Sequence, residues 1–260
     1  MRRTDEDLRQ FKRAMEQVIV PGVYIVARLD GRGFSKLTLD RGFDKPFDPR
    51  FRDAMVQTTE HLMDCGAQVV LGYTQSDEIS LLLHPRCSAF GRRATKLSTV
   101  LAGEGSARLT LAFAAIGDDA QLGAGPGVLD CRLSVLPGRQ RVVDYFLWRI
   151  GDAVRNGLNA HVYWALRNSG VSAADATERL SGMKPPAKHD LLHSLDLNWN
   201  DVPSWQKQGI GLSWERVDKP SRNPITGETV VATRRRLVTE MALPVGNALV
   251  SWLEDRIPEM

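Results

Sequence analysis

The sequence predicts an α+β fold in the order β-α-β-β-α-β, with additional helices and a C-terminal β extension. Three observations carry it. Four apolar runs of strand length lie at Val23–Leu29, Gln68–Tyr73, Ile79–Leu83 and Val128–Val135. Segments of helical spacing or length fall between the first and second runs and between the third and fourth. The two middle runs are separated by Thr74-Gln75-Ser76-Asp77-Glu78 alone, which reads as a hairpin with acids at its tip. This is the ferredoxin-like, or split βαβ, arrangement, in which the first and third strands are central neighbours.

Each element has its local reason. Val23–Leu29 is a buried-strand pattern that stops at Asp30-Gly31. After the turn-rich Lys45-Pro46-Phe47-Asp48-Pro49, residues from about Arg50 to Met63 place Phe51, Met55, Thr59 and Leu62 on one helix face. A helix is expected from about Ala89 to Leu109, and Val128–Val135 alternates as a strand. Beyond it, Val142–Asn168, Ala173–Ser181 and Asp190–Leu195 read as helices. Ile210–Val217 and Thr229–Val238 read as strands joined by a loop containing Asn223-Pro224 and Thr226-Gly227. No repeat or long linker divides the chain. Residues 1–138 are therefore expected to form the core domain, with 139–260 an extension packed on it as one unit.

The composition is that of a folded domain: 260 residues, 43% hydrophobic, 25% charged, net charge +3. No apolar run approaches the roughly 20 residues needed to cross a bilayer. The start, Met1–Asp7, leads into a charged amphipathic stretch without a signal-peptide core, so no membrane association and a cytoplasmic location are expected. Three cysteines without C-x-x-C spacing suggest neither a disulfide framework nor a zinc site. The cations are mostly arginine, clustered at Arg92-Arg93 with Lys96, at Arg139 and Arg141, and at Arg234–Arg236. Two readings of these clusters stand: cradles for a polyanion, or solvated faces.

The chemistry centres on Asp30, which ends the first strand, and on Asp77 with Glu78, which lead into the third. If those strands are neighbours, three carboxylates converge. Crowded carboxylates repel unless a hard divalent cation relieves them, and magnesium is the natural candidate. Mg²⁺ is held by one or two protein carboxylates together with water and substrate phosphates, so the pattern suits a nucleoside triphosphate. Two such ions about 4 Å apart can activate an attacking oxygen and steady a leaving one. Gly31-Arg32-Gly33-Phe34-Ser35-Lys36, a backbone able to approach a ligand closely, reads as a triphosphate cradle. Each acid taken alone is equally at home in a turn or a surface salt bridge.

Taken together, these segments resemble the tRNA(His) guanylyltransferases and their bacterial and archaeal guanylyltransferase-like relatives. The matching motifs are Arg28–Phe34, Phe43–Pro46, Gly72–Glu78, Arg92-Arg93 with Lys96, Asp130-Cys131-Arg132, Asp144–Arg149, and Lys188 with Asn198-Trp199-Asn200. The resemblance implies a polymerase-palm fold, a homotetramer, and two Mg²⁺ ions held by Asp30, the Gly31 carbonyl and Asp77, with Glu78 in support. It implies that Asp30, Gly31, Arg32, Gly33, Phe34, Ser35, Ser76 and Asp77 hold the incoming nucleotide. Lys45, Arg92, Arg93 and Lys96 would meet triphosphates or the RNA end, while Arg132, Arg149, Asn156 and Lys188 fall to the RNA. The implied reaction is 3′–5′ nucleotide addition: the 3′-hydroxyl of GTP or another nucleotide attacks a tRNA 5′ end that is activated by ATP or already triphosphorylated.

One segment departs from the family. Val154 stands where the family has a histidine and Gly157 where it has its second asparagine. Repair of shortened tRNA 5′ ends is therefore expected over addition of an extra guanosine to tRNA(His). A palm-type nucleotide cyclase and a non-catalytic RNA-binding module are the alternatives. His189-Asp190-Leu191-Leu192-His193 mimics a zinc-protease helix but has Asp where Glu is required, most tryptophans are expected in the core, and Leu122–Gly127 reads as a plain loop.

Overall fold

The computed structural model describes residues 5–116, 125–222 and 227–260, with residues 5–7 and 13 described by their backbone alone. The chain runs α1 (Asp5–Arg13), β1 (Tyr24–Gly31), α2 (Phe34–Asp40), α3 (Pro49–Met63), β2 (Val69–Gln75), β3 (Glu78–Leu83), α4 (Ala94–Ile116) and β4 (Leu129–Leu136). It continues through α5 (Arg139–Asn168), α6 (Ala173–Leu180), α7 (Pro185–Ser194), α8 (Ser204–Gln208), β5 (Ile210–Arg222), β6 (Thr229–Glu240) and α9 (Asn247–Arg256). Of the expected loops, residues 122–124 and 223–226 lie outside the described residues.

The strands form one antiparallel sheet in the order β4-β1-β3-β2-β5-β6. Its first four strands are the ferredoxin-like palm, with β1 and β3 as the expected central neighbours. Alternation along β1 sends its residues to two faces. Ile25, Ala27 and Leu29 pack with Leu62, Leu97, Leu101 and Phe113 of α3 and α4. Tyr24 and Val26 pack with Val142, Phe146 and Ile150 of α5 and Leu253 of α9. Both faces are thus covered near the start of the strand. Toward its end the second face turns polar, with Arg28 and Asp30 in the same alternate positions.

Several expectations need correction. Residues 31–36 are not a loop throughout: Gly33, in the left-handed region at φ 71°, caps α2, which begins at Phe34. Periodicity did not show it because α2 spans only two turns. The helix expected from Ala89 starts with a short 3-10 turn (Ala89–Arg92) in which Phe90 and Gly91 leave helical geometry, and α4 begins only at Ala94. The C-terminal β extension is present as expected and continues the palm sheet, β5 pairing with β2 through Thr74↔Ile210 and its neighbours. Helix α9, not anticipated, seats its end on α5: Arg139 donates to the carbonyls of Glu254 and Ile257. Trp148 is 54% exposed and not a core residue.

Candidate active site

Three strands bring acids into register. Asp30 lies opposite Glu78 on β3 and opposite Asp130 on β4. Between β2 and β3, Ser76 and Asp77 form a two-residue turn closed by the pair Gln75↔Glu78, with Ser76 at φ 53°. The turn places the Asp77 carboxylate against the end of β1: a Cβ on Gly31 would stand 2.7 Å from Asp77 Oδ2 and would overlap the Phe34 ring. Burial, then the nearby charges of Asp30 and Glu78, hold the Asp77 carboxyl above the usual carboxylate range against the hydrogen bonds that favour its ionised form.

The three acids are not balanced alike. Glu78 is bound by both forks of Arg149 at 2.7 and 2.5 Å, and Asp30 by Arg28 at 3.1 Å. Among the described residues no Lys or Arg forms an ion pair with Asp77, whereas Arg28 and Arg149 take its neighbours. Among the described residues no group of three or more His, Cys, Asp or Glu side chains forms a complete metal cage. Two neighbouring hard-oxygen donors, one of them half-buried beside the other's charge, are what an ion such as Mg²⁺ leaves to the protein when phosphates and water supply the rest. The residues present fit such an ion.

Two clefts meet at this turn. The first is lined by Phe34, Ser35, Thr38, Lys45, Asp48, Ser76 and Asp77 among others. The second is lined by Asp30, Ser76, Asp77, Glu78, Arg149 and Asn156. Pro46, Phe47, Gln75, Ser76 and Asp77 belong to both. In the first, Lys45 Nζ donates to Thr38 Oγ1 at 2.5 Å, and burial lowers the pKa of its ammonium while Asp48 opposes this. Asp48 accepts from the backbone N–H of Asp44 and Arg50 and from the Arg50 guanidinium. Burial would raise its carboxyl, but those bonds win and hold it below the usual range. Phe34 shows the cleft one edge of a ring that otherwise packs on Phe51 and Phe113.

The other expected residues divide. Arg32 and Gly33 are exposed beside the cleft-lining Ser35. Arg132 is exposed on β4, 3.5 Å from Asp130. Lys188 on α7 is half-buried and donates to Asn159 Oδ1 at 2.6 Å. Arg93 pairs with Glu16 at 3.2 Å and Lys96 is exposed on α4. None of these six lines either cleft. Arg92 is a correction: its buried guanidinium is spent on the carbonyls of Ile19, Val20, Val23, Pro85 and Cys87, which leaves no donor turned to a phosphate. Arg149 lines the second cleft with its fork closed on Glu78. Arg28 and Asp130, present in the sequence motifs without a site role, share the acidic corner; their positions, alternate to Asp30 and directly across from it, are the signal that points to them.

The tRNAHis guanylyltransferase family model matches residues 5–137, and that of the Thg1 C terminal domain matches 140–243. The chain belongs to the tRNA(His) guanylyltransferase family, a family of nucleotidyltransferases. A Mus musculus protein named "Probable tRNA(His) guanylyltransferase" is 30% identical over 259 residues, covering 96% of this chain and 85% of its own. The tRNA(His) guanylyltransferase of Neurospora crassa is 32% identical over 194 residues, 74% of this chain and 66% of its own. The family's fold is matched as well. The crystal structure of the Saccharomyces cerevisiae tRNA(His) guanylyltransferase superposes with a TM-score of 0.72 at 23% identity, over 88% of this chain and 96% of that one. A bacterial guanylyltransferase-like protein in complex with ATP gives 0.75 at 24%, over 98% and 99%.

At Gly157 a Cβ would lie 2.7 Å from the Gln206 carbonyl oxygen and 3.5 Å from the Trp199 ring, so α5 meets α8 closely at a point where a side chain has no room. Val154, three residues earlier, is exposed.

Proposed function

We propose that this chain is a Mg²⁺-dependent nucleotidyltransferase that adds GTP or other nucleotides in the 3′–5′ direction to the 5′ end of a tRNA. Repair of shortened ends is its main task, with addition of an extra guanosine to tRNA(His) secondary. The observation that carries this reading is the meeting of Asp30 and Asp77, far apart in sequence, at a turn shared by two clefts. Family relatives are named tRNA(His) guanylyltransferase, and solved relatives of the same fold are complexes with ATP and with GTP.

In this reading residues 1–138 are the catalytic palm and 139–260 the extension, and the active form is a cytoplasmic homotetramer. Asp30, the Gly31 carbonyl and Asp77 hold two Mg²⁺ ions. Bound there, the ions supply Lewis acidity toward the 3′-hydroxyl and the phosphates. Arg32, Gly33, Ser35, Ser76 and Lys45 bind and orient the triphosphate. Arg93, Lys96, Arg132, Asn156 and Lys188 carry the RNA. Val154 and Gly157, in place of His and Asn, support the preference for repair.

The test is incubation with labelled GTP and Mg²⁺ of full-length tRNA(His) and a 5′-truncated tRNA, each with a monophosphate or a triphosphate end. Extension of the truncated RNA above that of tRNA(His) is expected. Equal failure on every RNA would end the reading, and a cyclic nucleotide formed without RNA would replace it with a cyclase.

A further inference from the structure

We propose that Arg149 is a positioning residue of the nucleotidyl-transfer site, acting through Glu78 on the Asp77 turn, and that it is neither an RNA contact nor a phosphate ligand. The inference rests on the reading above and adds a role to it. Arg149 reaches from α5 to the first residue of β3, where Nε donates to Glu78 Oε1 at 2.7 Å and Nη2 to Oε2 at 2.5 Å. Its remaining nitrogen donates to Asp152 Oδ2 at 2.7 Å. With side chains only 11% and 14% exposed, both partners are largely withdrawn from water. The exposed indole of Trp148 stands over the guanidinium, 4.7 Å from ring centre to its carbon.

Glu78 is equally committed. Beyond the fork, Arg28 Nη1 is 4.0 Å from Oε2, and the Ser80 hydroxyl is 3.5 Å from Oε1 and itself joined to the Tyr145 hydroxyl. A carboxylate held on both oxygens by a bidentate guanidinium has its charge compensated and its orientation set, and is a weaker draw for an ion than one without a cation. Yet Glu78 follows Asp77 directly, closes the two-residue turn with Gln75, and faces Asp30 in register. A bidentate fork fixes direction as well as charge, and here it fixes the end of the turn that carries Asp77. It also neutralises the one acid of three that is not placed for the ions, leaving Asp30 and Asp77 to them. Because Arg149 stands on α5, the same contact ties the acidic corner to the helix that bears Asn156 and Gly157.

The experiment uses the full chain and three variants, Arg149→Lys, Glu78→Gln and the double variant. Three quantities are read: Mn²⁺ binding in the presence of GTP by electron paramagnetic resonance, tRNA affinity by anisotropy, and kcat against KM for 5′ addition. Lysine keeps the charge but not the fork, so Arg149→Lys is expected to weaken Mn²⁺ binding and lower kcat about tenfold or more each. Its tRNA affinity is expected to stay within about twofold of the wild type, and the double variant to lose much less than the two single losses combined. A loss of tRNA affinity with Mn²⁺ binding intact would overturn the assignment in favour of an RNA contact. Full additivity of the two losses would overturn it as well. Should Arg149→Lys not fold, Glu78→Gln carries the test, since unchanged Mn²⁺ binding there is also fatal. A wild-type chain that binds Mn²⁺ with GTP but extends no RNA defeats the functional reading alone, and the Mn²⁺ comparison still decides the role of Arg149.

Discussion

The carboxylate of Asp77 lies so close to Gly31 that a single methyl group on the glycine would come within 2.7 Å of its Oδ2. Forty-six positions apart in sequence, these residues share one corner because β1 and β3 are neighbours in the sheet. Gly31→Ala is therefore expected to push Phe34 and Asp77 apart, at a cost of about 1–3 kcal/mol typical of overpacking. Urea unfolding reads that loss, and Mg²⁺-dependent nucleotide addition should fall with it.

Asp77→Asn removes a half-buried charge that the metal-free fold tolerates poorly. Because burial and then Asp30 raise the folded pKa of Asp77, its ionised form is the penalised one, and the metal-free protein gains stability as pH falls from that raised value toward the ordinary carboxylate range. The variant should lack that gain, and in EDTA near neutral pH it should melt higher than the wild type, by about 2–4 °C for each kcal/mol relieved. Turnover should drop more than about a hundredfold while tRNA binding persists, since a direct ligand outweighs an outer-shell partner. A calorimetric melt with and without Mg²⁺ checks the first statement, and a gel-shift assay the second.

Asparagine restored at position 157 tests whether the departure from the family is steric. Its Cβ would meet the Gln206 carbonyl at 2.7 Å, so Gly157→Asn should cost about 1–3 kcal/mol and loosen α8 from α5. Chemical denaturation and protease nicking around Ser204–Gln208 are the measurements. A variant as stable as the wild type would show that the helices part easily there.

Arg92→Gln separates a buried staple from a phosphate contact. Losing donors to five main-chain carbonyls should cost more than about 3 kcal/mol, and KM for GTP should remain unchanged at a temperature where the variant is folded. A raised KM with intact stability would return Arg92 to the triphosphate.

Much of the palm was legible because its strands are buried runs of the right length and its longer helices keep their spacing. Val23–Leu29 became Tyr24–Gly31, and Arg50–Met63 became Pro49–Met63. Helix α2 was not legible, since seven residues that begin at a glycine cap carry too little periodicity. The joining of β5 to β2 was hidden for a different reason: strand pairing depends on which edge is open once the palm has closed. Arginine was the least readable residue type. Arg92 and Arg149 bear the same charge as the exposed Arg32 and Arg132, and only burial against carbonyls or a carboxylate tells them apart.

From the chain alone came the order of elements, the pairing of Asp30 with the Asp77-Glu78 hairpin, and the family resemblance, because local apolar pattern and short motifs are properties of neighbours in sequence. Which carboxylates remain without a cation, which arginines are already spent, and how closely α5 meets α8 at position 157 were settled by the folded molecule. Those outcomes depend on distances between residues many positions apart, and such distances exist only after the sheet has set its register and α5 has packed across it.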